Sequence, residues 1–199
     1  MNKLTSNDKA FIKFVKEECK RVGIKCDLRS VGWVRTDGVR CSGYFDESGK
    51  RLVVAMNRPD ALSILVHEYC HLTQWQDGIE LWESAAKSLY KLFKWLDGNT
   101  VTDIVKHIGT ARDLELDNER RSVKMIKHWN LSIDMDLYVK KANAYVMFYN
   151  WLHHSRSWSN PKNVPYDSPV VLQVMSNKFN MRYGKMSRKV FNAFNTAKM

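Results

Sequence analysis

The residues best suited to chemistry are two histidines and a glutamate, in the segment His67-Glu68-Tyr69-Cys70-His71 of this 199-residue chain. On a helix, positions i and i+4 lie on the same face, so both imidazoles can direct a ring nitrogen at one metal ion. Glu68 lies one residue around the helix, where it can take a proton from a water on that ion. Zinc suits such a site because two imidazoles and one further ligand leave a position for water.

The apolar residues around the motif favour a metal site over a surface helix that happens to carry two histidines. The run from Leu62 to Val66, interrupted by Ser63, predicts a buried helix with the histidines near its middle. Burying two imidazoles beside a carboxylate costs free energy unless something satisfies their polar atoms. A metal ion would do so.

With a predicted strand directly before this helix, the chain resembles the zincin metallopeptidases, and most closely their gluzincin branch. In that branch a glutamate on a later helix is the third ligand, and an acid one turn further on supports a ligand histidine. The resemblance therefore implies zinc held by His67, His71 and Glu115, with Glu119 in the supporting role. The reverse assignment, with Glu119 as the ligand, stays open, as does a plain acidic helix face paired with neighbouring arginines.

The motifs of two other zincin branches match the sequence less completely. The aspzincin motif is Gly-Thr-x-x-Asp followed by Tyr-Gly. Residues 109–113 match its first half, although Leu116-Asp117 stand where Tyr-Gly belongs, so Asp113 is an alternative ligand. The metzincin motif needs glycine where Gln74 stands and a ligand where Asp77 stands. With Gln74 in place the helix is expected to continue and carry Asp77 away.

The resemblance also implies an activity, the zinc-dependent hydrolysis of peptide bonds with Glu68 as general base. A strand at residues 52–56 or 42–45 would pair with an extended protein or peptide substrate. Small uncharacterised metallopeptidase-like proteins of bacteriophages look similar. Candidates for stabilising the oxyanion, which the sequence does not rank, are Tyr183, His153, His154 and Arg182.

The elements around the motif predict an α+β fold that is zincin-like, with an N-terminal helix and a small, mostly antiparallel sheet before the active-site helix. Strands are expected at residues 24–28, 31–34, 39–45 and 52–56, with hairpin turns at residues 36–38 and 47–50. Helices are expected at residues 6–22, 61–76, 81–96, 101–108 and 113–129, with Asp60 as the N-cap of the second. Asp134 or Asp136 is expected to cap a further helix that ends near residue 153. Gly109 is expected to break the chain between the fourth and fifth helices, and residues 155–168 to form a loop before two further helical pieces.

Composition supports a folded chain in a reducing compartment. Hydrophobic residues make up 44% and charged residues 27%, with only 9 Gly and 4 Pro, which excludes a disordered or fibrous protein. The four cysteines form no Cys-x-x-Cys pair and are expected to be reduced thiols rather than a zinc ribbon. Without an apolar N-terminal segment or a membrane-length apolar run, we expect a cytoplasmic protein that contacts no membrane.

The formal net charge is +11, and residues 151–199 contain eight Lys and Arg residues against one acid, Asp167. We expect a metallopeptidase domain over residues 1–153 and a basic helical extension over residues 154–199 that packs on it. With Phe179, Tyr183 and Phe191 among its charges, the extension could follow phosphates and stack on bases, although a solvated surface is the ordinary interpretation. The alternative function is therefore a nucleic-acid-binding or DNA-associated protein with a zincin-like domain, similar to the SprT-like group without its zinc ribbon.

Overall fold

The computed structural model describes residues 4–36, 38–158 and 164–198, and over these residues the chain is α+β and mostly helical. The described residues form five strands, β1 (Lys25–Arg29), β2 (Val34–Thr36), β3 (Val39–Cys41), β4 (Gly43–Asp46) and β5 (Arg51–Ala55). The same residues form seven α-helices, α1 (Ser6–Arg21), α2 (Ala61–Gln76), α3 (Glu80–Leu96), α4 (Ile104–Trp129), α5 (Met135–Ser155), α6 (Pro169–Leu172) and α7 (Arg188–Lys198). Each helix described is too short or too polar to cross a bilayer.

The sheet is mixed, which corrects the mostly antiparallel arrangement expected from the sequence. The strand order is β1-β5-β4, with β1 parallel and β4 antiparallel to the central strand β5. All residues of β5 after Arg51 are buried, so this strand requires a neighbour on each side, and the early strand β1 supplies the second one. Strands β2 and β3 form a separate antiparallel hairpin.

Two further expectations about the strands are corrected. The strand expected at residues 31–34 begins only at Val34, and the strand expected at residues 39–45 is divided at Ser42 into β3 and β4. The two halves pair with different strands, β2 and β5, so one straight strand would not satisfy both. The predicted turn at residues 36–38 includes Asp37, which lies outside the described residues.

Backbone proximity divides the chain into two compact units. The first consists of Met1–Gly78 and Arg121–Asp134, and the second of Ile79–Arg120 and Met135–Met199. The first unit therefore contains α1, the strands, α2 and the last turns of α4. The second contains α3, most of α4, α5 and the C-terminal helices.

In the first unit, α1 begins with a capping box at Thr5. The Thr5 hydroxyl accepts a hydrogen bond from the Asp8 backbone nitrogen, and the Asp8 carboxylate accepts one from the Thr5 nitrogen. The buried face of α1 includes Phe11, whose ring packs edge-on against Tyr69 of α2 at 6.1 Å between centroids. Helix α2 packs on β4 and β5, so the motif helix lies directly on the sheet.

In the second unit, α4 runs through Gly109 without a break, which corrects the two shorter helices expected there. Glycine inside a helix costs roughly 1 kcal/mol relative to alanine. The buried neighbours Ile108 and Ala111 belong to the unit's core and offset that cost. The candidate ligands of this segment consequently lie on one continuous helix.

The same core includes residues of the C-terminal segment. Val171, Val190 and Phe194 are buried in one cluster with residues of α5 such as Phe148. Within the loop expected at residues 155–168, residues 159–163 lie outside the described part, and Pro165–Asp167 form a short 3-10 helix. The second unit is thus built around α5, with α6 and α7 packed near its C-terminal half.

Candidate metal centre

Helix α2 carries both histidines on a partly exposed face of an otherwise buried helix. Asp60 occupies its N-cap position as predicted, but the Asp60 carboxylate makes no cap hydrogen bond and binds Arg58 through two contacts of 2.8 and 2.9 Å. Most apolar residues of α2, including Leu65 and Val66, are buried, whereas Ile64 and Trp75 are partly exposed. Because the helix is held on its apolar faces, the orientation of its histidines is set by packing against the sheet.

His67 and His71 approach each other through their Nε2 atoms, which lie 3.2 Å apart. Their rings are nearly perpendicular, at 88°, with centroids 4.7 Å apart. Two imidazole nitrogens in a tetrahedral zinc site, each at 2.0–2.1 Å from the ion, lie about 3.3 Å apart. The distance therefore fits a shared ion, and it also fits a hydrogen bond between the two rings when no ion is bound.

Glu115 joins the histidines to complete a candidate ligand set. One ligand atom from each of His67, His71 and Glu115 lies within 4.8 Å of the other two, and this group could hold a metal ion. The Glu115 side chain is on α4 and is only 8% exposed. Two nitrogens and one carboxylate oxygen are the donor set of many catalytic zinc sites, so the residues present fit zinc.

Gln74 contacts His71, a contact that was not among the expectations from the sequence. The Gln74 side chain is fully buried, and its Oε1 atom lies 2.9 Å from His71 Nδ1. When Oε1 accepts a hydrogen bond from the Nδ1–H group, the Nε2 atom of His71 carries no proton and keeps its lone pair for a ligand bond. Gln74 lies one turn beyond His71 on α2, and that spacing was the signal that could have identified it.

Tyr149 of α5 supports Glu115 in a similar way. Its hydroxyl donates to Glu115 Oε1 at 3.4 Å, and the Tyr145 hydroxyl lies 3.5 Å from that of Tyr149. Burial, followed by the negative charge of Glu115, raises the pKa of Tyr149 well above the usual value. The phenol therefore keeps its proton and acts as a donor to Glu115 at neutral pH.

The alternative ligands have other contacts. Glu119 is buried, and its Oε2 atom accepts a hydrogen bond of 2.7 Å from the Tyr138 hydroxyl. Asp113 has a side chain that is 51% exposed and binds Arg112 at 2.8 Å. The group of three described above includes Glu115 rather than either of these acids. The supporting role of Glu119 toward a ligand histidine stays a prediction.

Glu68 is buried beside the backbone of strand β4. A β-carbon built on Gly43 would lie 3.2 Å from Glu68 Cγ, 2.7 Å from Ile64 Cγ2 and 3.0 Å from the Val53 carbonyl oxygen. Only glycine allows the strand to pass this close to the helix. Burial and the charge of Glu68 raise the pKa of the nearby Cys41 thiol to about 11, so Cys41 stays protonated at neutral pH.

The end of the motif helix, with Asp77 of the metzincin alternative, makes contacts within the first unit. Asp77 follows the last residue of α2 and binds Arg121 at 2.5 Å. The Trp75 ring packs against Phe45 of β4, with centroids 5.8 Å apart. The Trp75–Phe45 contact joins the end of the motif helix to β4, and the Asp77–Arg121 ion pair joins it to the last turns of α4.

The four candidates for oxyanion stabilisation have contacts of their own in the second unit. The Tyr183 hydroxyl is buried and donates to Asn143 at 2.6 Å. His153 stacks on Trp95 at 6.2 Å, and His154 lies edge-on to Phe191 at 5.0 Å. Arg182 is exposed. None of these contacts gives one candidate priority over the others.

Comparison with known proteins adds no identification, since the chain matches no protein-family model, no curated protein and no solved structure.

Proposed function

We propose that this chain is a zinc-dependent metallopeptidase with a zincin-like fold, in which His67, His71 and Glu115 are the protein ligands and Glu68 is the general base. The observation that carries the proposal is the convergence of two imidazole nitrogens and one buried carboxylate within 4.8 Å of one another. Bound zinc would supply Lewis acidity, which lowers the pKa of a coordinated water and polarises a carbonyl group.

Glu68 is the proton carrier in the proposed reaction. Glu68 follows His67 directly in the sequence, so its carboxylate lies beside the metal ligands without being one of them, as a general base requires. It accepts the proton of the attacking water and delivers it to the leaving amine, so one carboxylate serves both steps. Burial of Glu68 against β4 limits the rotamers of its side chain, which keeps the carboxylate in position for both proton transfers.

Strand β4 is the strand that would pair with the backbone of the substrate. In the order β1-β5-β4, the central strand β5 has a neighbour on each side, whereas β4 pairs only with β5 within the three-stranded sheet. Of the two strands considered from the sequence, β4 is therefore the one with an edge that an extended peptide can join. Gly43 would bring that peptide close to Glu68.

The first experiment is a metal analysis of the purified chain and of four variants. One zinc per chain is expected, with the ion lost in Glu115→Ala and retained in Glu119→Ala. Glu68→Gln should retain zinc and fold but lose hydrolysis of an unfolded protein such as casein, while Glu83→Gln on the exposed face of α3 is the matched control. Undiminished hydrolysis by Glu68→Gln would remove the mechanism, and zinc retained in Glu115→Ala would remove the ligand assignment.

Exposed basic residues support a second candidate function, nucleic-acid binding. Arg182, Lys185, Arg188 and Lys189 are all exposed in the second unit. Tyr183 is buried among them and cannot stack on a base, so this surface favours phosphate contacts.

DNA binding that weakens steeply with salt, and that Arg188→Glu with Lys189→Glu reduces, would support this function. Binding that persists in His67→Ala would separate it from the metal centre. No binding at low salt would exclude it.

A further inference from the structure

The hairpin of β2 and β3, in the first unit, carries two opposed arginines on its outward face. Val34 and Cys41 are register partners, and both pack in one core cluster with residues of the sheet. Because successive residues of a strand point to opposite faces, the next pair, Arg35 and Arg40, lies on the other face, and both residues are exposed. Like charges directly opposite each other lower the stability of paired strands. An anion bound at the two arginines would offset this repulsion.

Trp33, the residue before β2, holds Arg40 in place. The guanidinium carbon of Arg40 lies 5.2 Å from the centroid of the Trp33 ring, and that of Arg58 lies 4.5 Å from it. Arg58 is itself fixed by Asp60 through two contacts of 2.8 and 2.9 Å. A ring that covers the face of a guanidinium leaves the N–H groups at its edge for a carboxylate. Arg40 is therefore oriented to bind an anion, whereas Arg58 already binds one.

The charges of the opposed arginines are available to a partner. Among the residues that the structure describes, no acid forms an ion pair with Arg35 or Arg40. The Arg35 Nη1 atom donates to the Gly38 carbonyl at 3.1 Å, which draws the side chain along the hairpin. Val31 and Val39, close to them in sequence, are 42% and 59% exposed. Two cations next to apolar surface are complementary to an acidic segment of a protein.

The hairpin leads directly into the strand of the proposed substrate site. Arg40 precedes Gly43 by three residues, so their Cα atoms are at most about 11 Å apart. A β-carbon built on Gly43 would lie 3.2 Å from Glu68 Cγ, so this end of β4 borders the proposed general base. A peptide paired with β4 advances about 3.3 Å per residue. Where it continues past Gly43 toward β3, a side chain about three residues further on comes within reach of the Arg40 guanidinium.

We propose that the outward face of this hairpin selects protein substrates that carry acidic side chains a few residues from the bond to be cleaved, with Arg40 and Arg35 binding their carboxylates. The inference rests on the proposed function, since it takes β4 as the strand that pairs with the substrate. Trp33 is a positioning residue that acts through Arg40.

The same observations weigh against single-stranded nucleic acid as the partner of this face. Stacking of a base needs a free aromatic face. The Trp33 ring is contacted by two guanidinium groups, those of Arg40 and Arg58. A carboxylate needs only the edge of the guanidinium, which the ring leaves uncovered.

The test compares two fluorescein-labelled peptides of equal length that differ only in having glutamate or glutamine on both sides of a central apolar pair. Binding is measured by fluorescence anisotropy with the full-length Glu68→Gln chain and zinc, so that neither peptide is cleaved. We expect the glutamate peptide to bind about tenfold more tightly at low salt, because two exposed ion pairs contribute. The difference should narrow as the salt concentration rises.

Variants in the same background assign the effect to the hairpin. Arg40→Gln should weaken binding of the glutamate peptide about fivefold and leave the glutamine peptide unchanged. Lys87→Gln is the matched control, since it removes the same charge from an exposed position of α3. Trp33→Leu should also reduce the discrimination, but it should have no further effect once Arg40 is replaced. Unfolding midpoints check that each variant is folded, and the comparison of the two peptides requires no hairpin variant.

The proposal is overturned if the two peptides bind equally, or if Arg40→Gln reduces the difference no more than Lys87→Gln does. It is also overturned if a single-stranded oligonucleotide binds more tightly than the glutamate peptide and depends on Arg40.

Zinc content, and cleavage of both peptides by the chain with Glu68 intact, are measured separately. Discrimination through Arg40 without zinc or cleavage would contradict the proposed function and support this inference. Zinc-dependent cleavage of both peptides at the same rate, with equal binding, would support the proposed function and contradict this inference.

Discussion

Replacing Gln74 by methionine tests whether this buried amide organises the metal centre. Methionine preserves most of the side-chain volume in a fully buried position and removes the oxygen that lies 2.9 Å from His71 Nδ1. His71 can then adopt either neutral tautomer, and one of them places a proton on the Nε2 atom that should bind zinc. Partners of this kind change metal affinity by about 10–100-fold when they are removed.

The expected result is therefore a zinc dissociation constant raised about 10–100-fold, equivalent to roughly 1.4–2.7 kcal/mol of binding free energy. Competition against a chromophoric chelator measures the constant directly. Gln76→Met is the matched control, because Gln76 is exposed at the end of the same helix. Gln74→Glu retains an acceptor oxygen and should bind zinc at least as tightly as Gln74→Met.

The unfolding midpoint of each metal-free variant separates loss of the ligand site from loss of the fold. If Gln74→Met binds zinc as tightly as the wild-type chain while remaining folded, Gln74 does not orient His71. If Gln76→Met weakens binding equally, the effect belongs to the helix as a whole. Either result would refute the reasoning from the hydrogen bond.

Two further predictions concern other parts of the first unit. Gly43→Ala should keep zinc but reduce hydrolysis, because the added methyl group would press on Glu68 Cγ and Ile64 Cγ2 and lower the stability by about 1–3 kcal/mol. Gly32→Ala is the control, since a β-carbon there meets no atom within 4 Å. Equal activity of the two variants would contradict the steric argument. Burial raises the pKa of Asp8, but hydrogen bonds from Ser132 and Thr5 outweigh this effect and hold the pKa below its usual value. Ionised Asp8 therefore stabilises the fold fully above about pH 4, and this contribution is lost as the pH falls through the lowered pKa of the folded state. Asp8→Asn should therefore lose about 1–3 kcal/mol at pH 7 and much less near pH 2 in denaturant unfolding, and a loss that is the same at both pH values would exclude the carboxylate as its source.

The sequence predicted the helical elements well where local signals were strong. The bounds of α1, α2 and α3 agree with the expected ranges to within about two residues, the usual uncertainty of helix ends. It failed at Gly109 and in the sheet. The free energy of a glycine in a helix depends on what its neighbours bury, and the parallel pairing of β1 with β5 depends on contacts between residues far apart in the chain.

The amino-acid sequence by itself determined the spacing of His67 and His71, because one helical turn fixes both on the same face whatever surrounds the helix. It also placed Glu68 between them. Only the tertiary structure grouped Glu115 with the histidines and brought Gln74, Tyr149 and the bare backbone of β4 against these residues. Such contacts depend on how helices and strands pack, and spacing along the chain does not specify packing between distant segments.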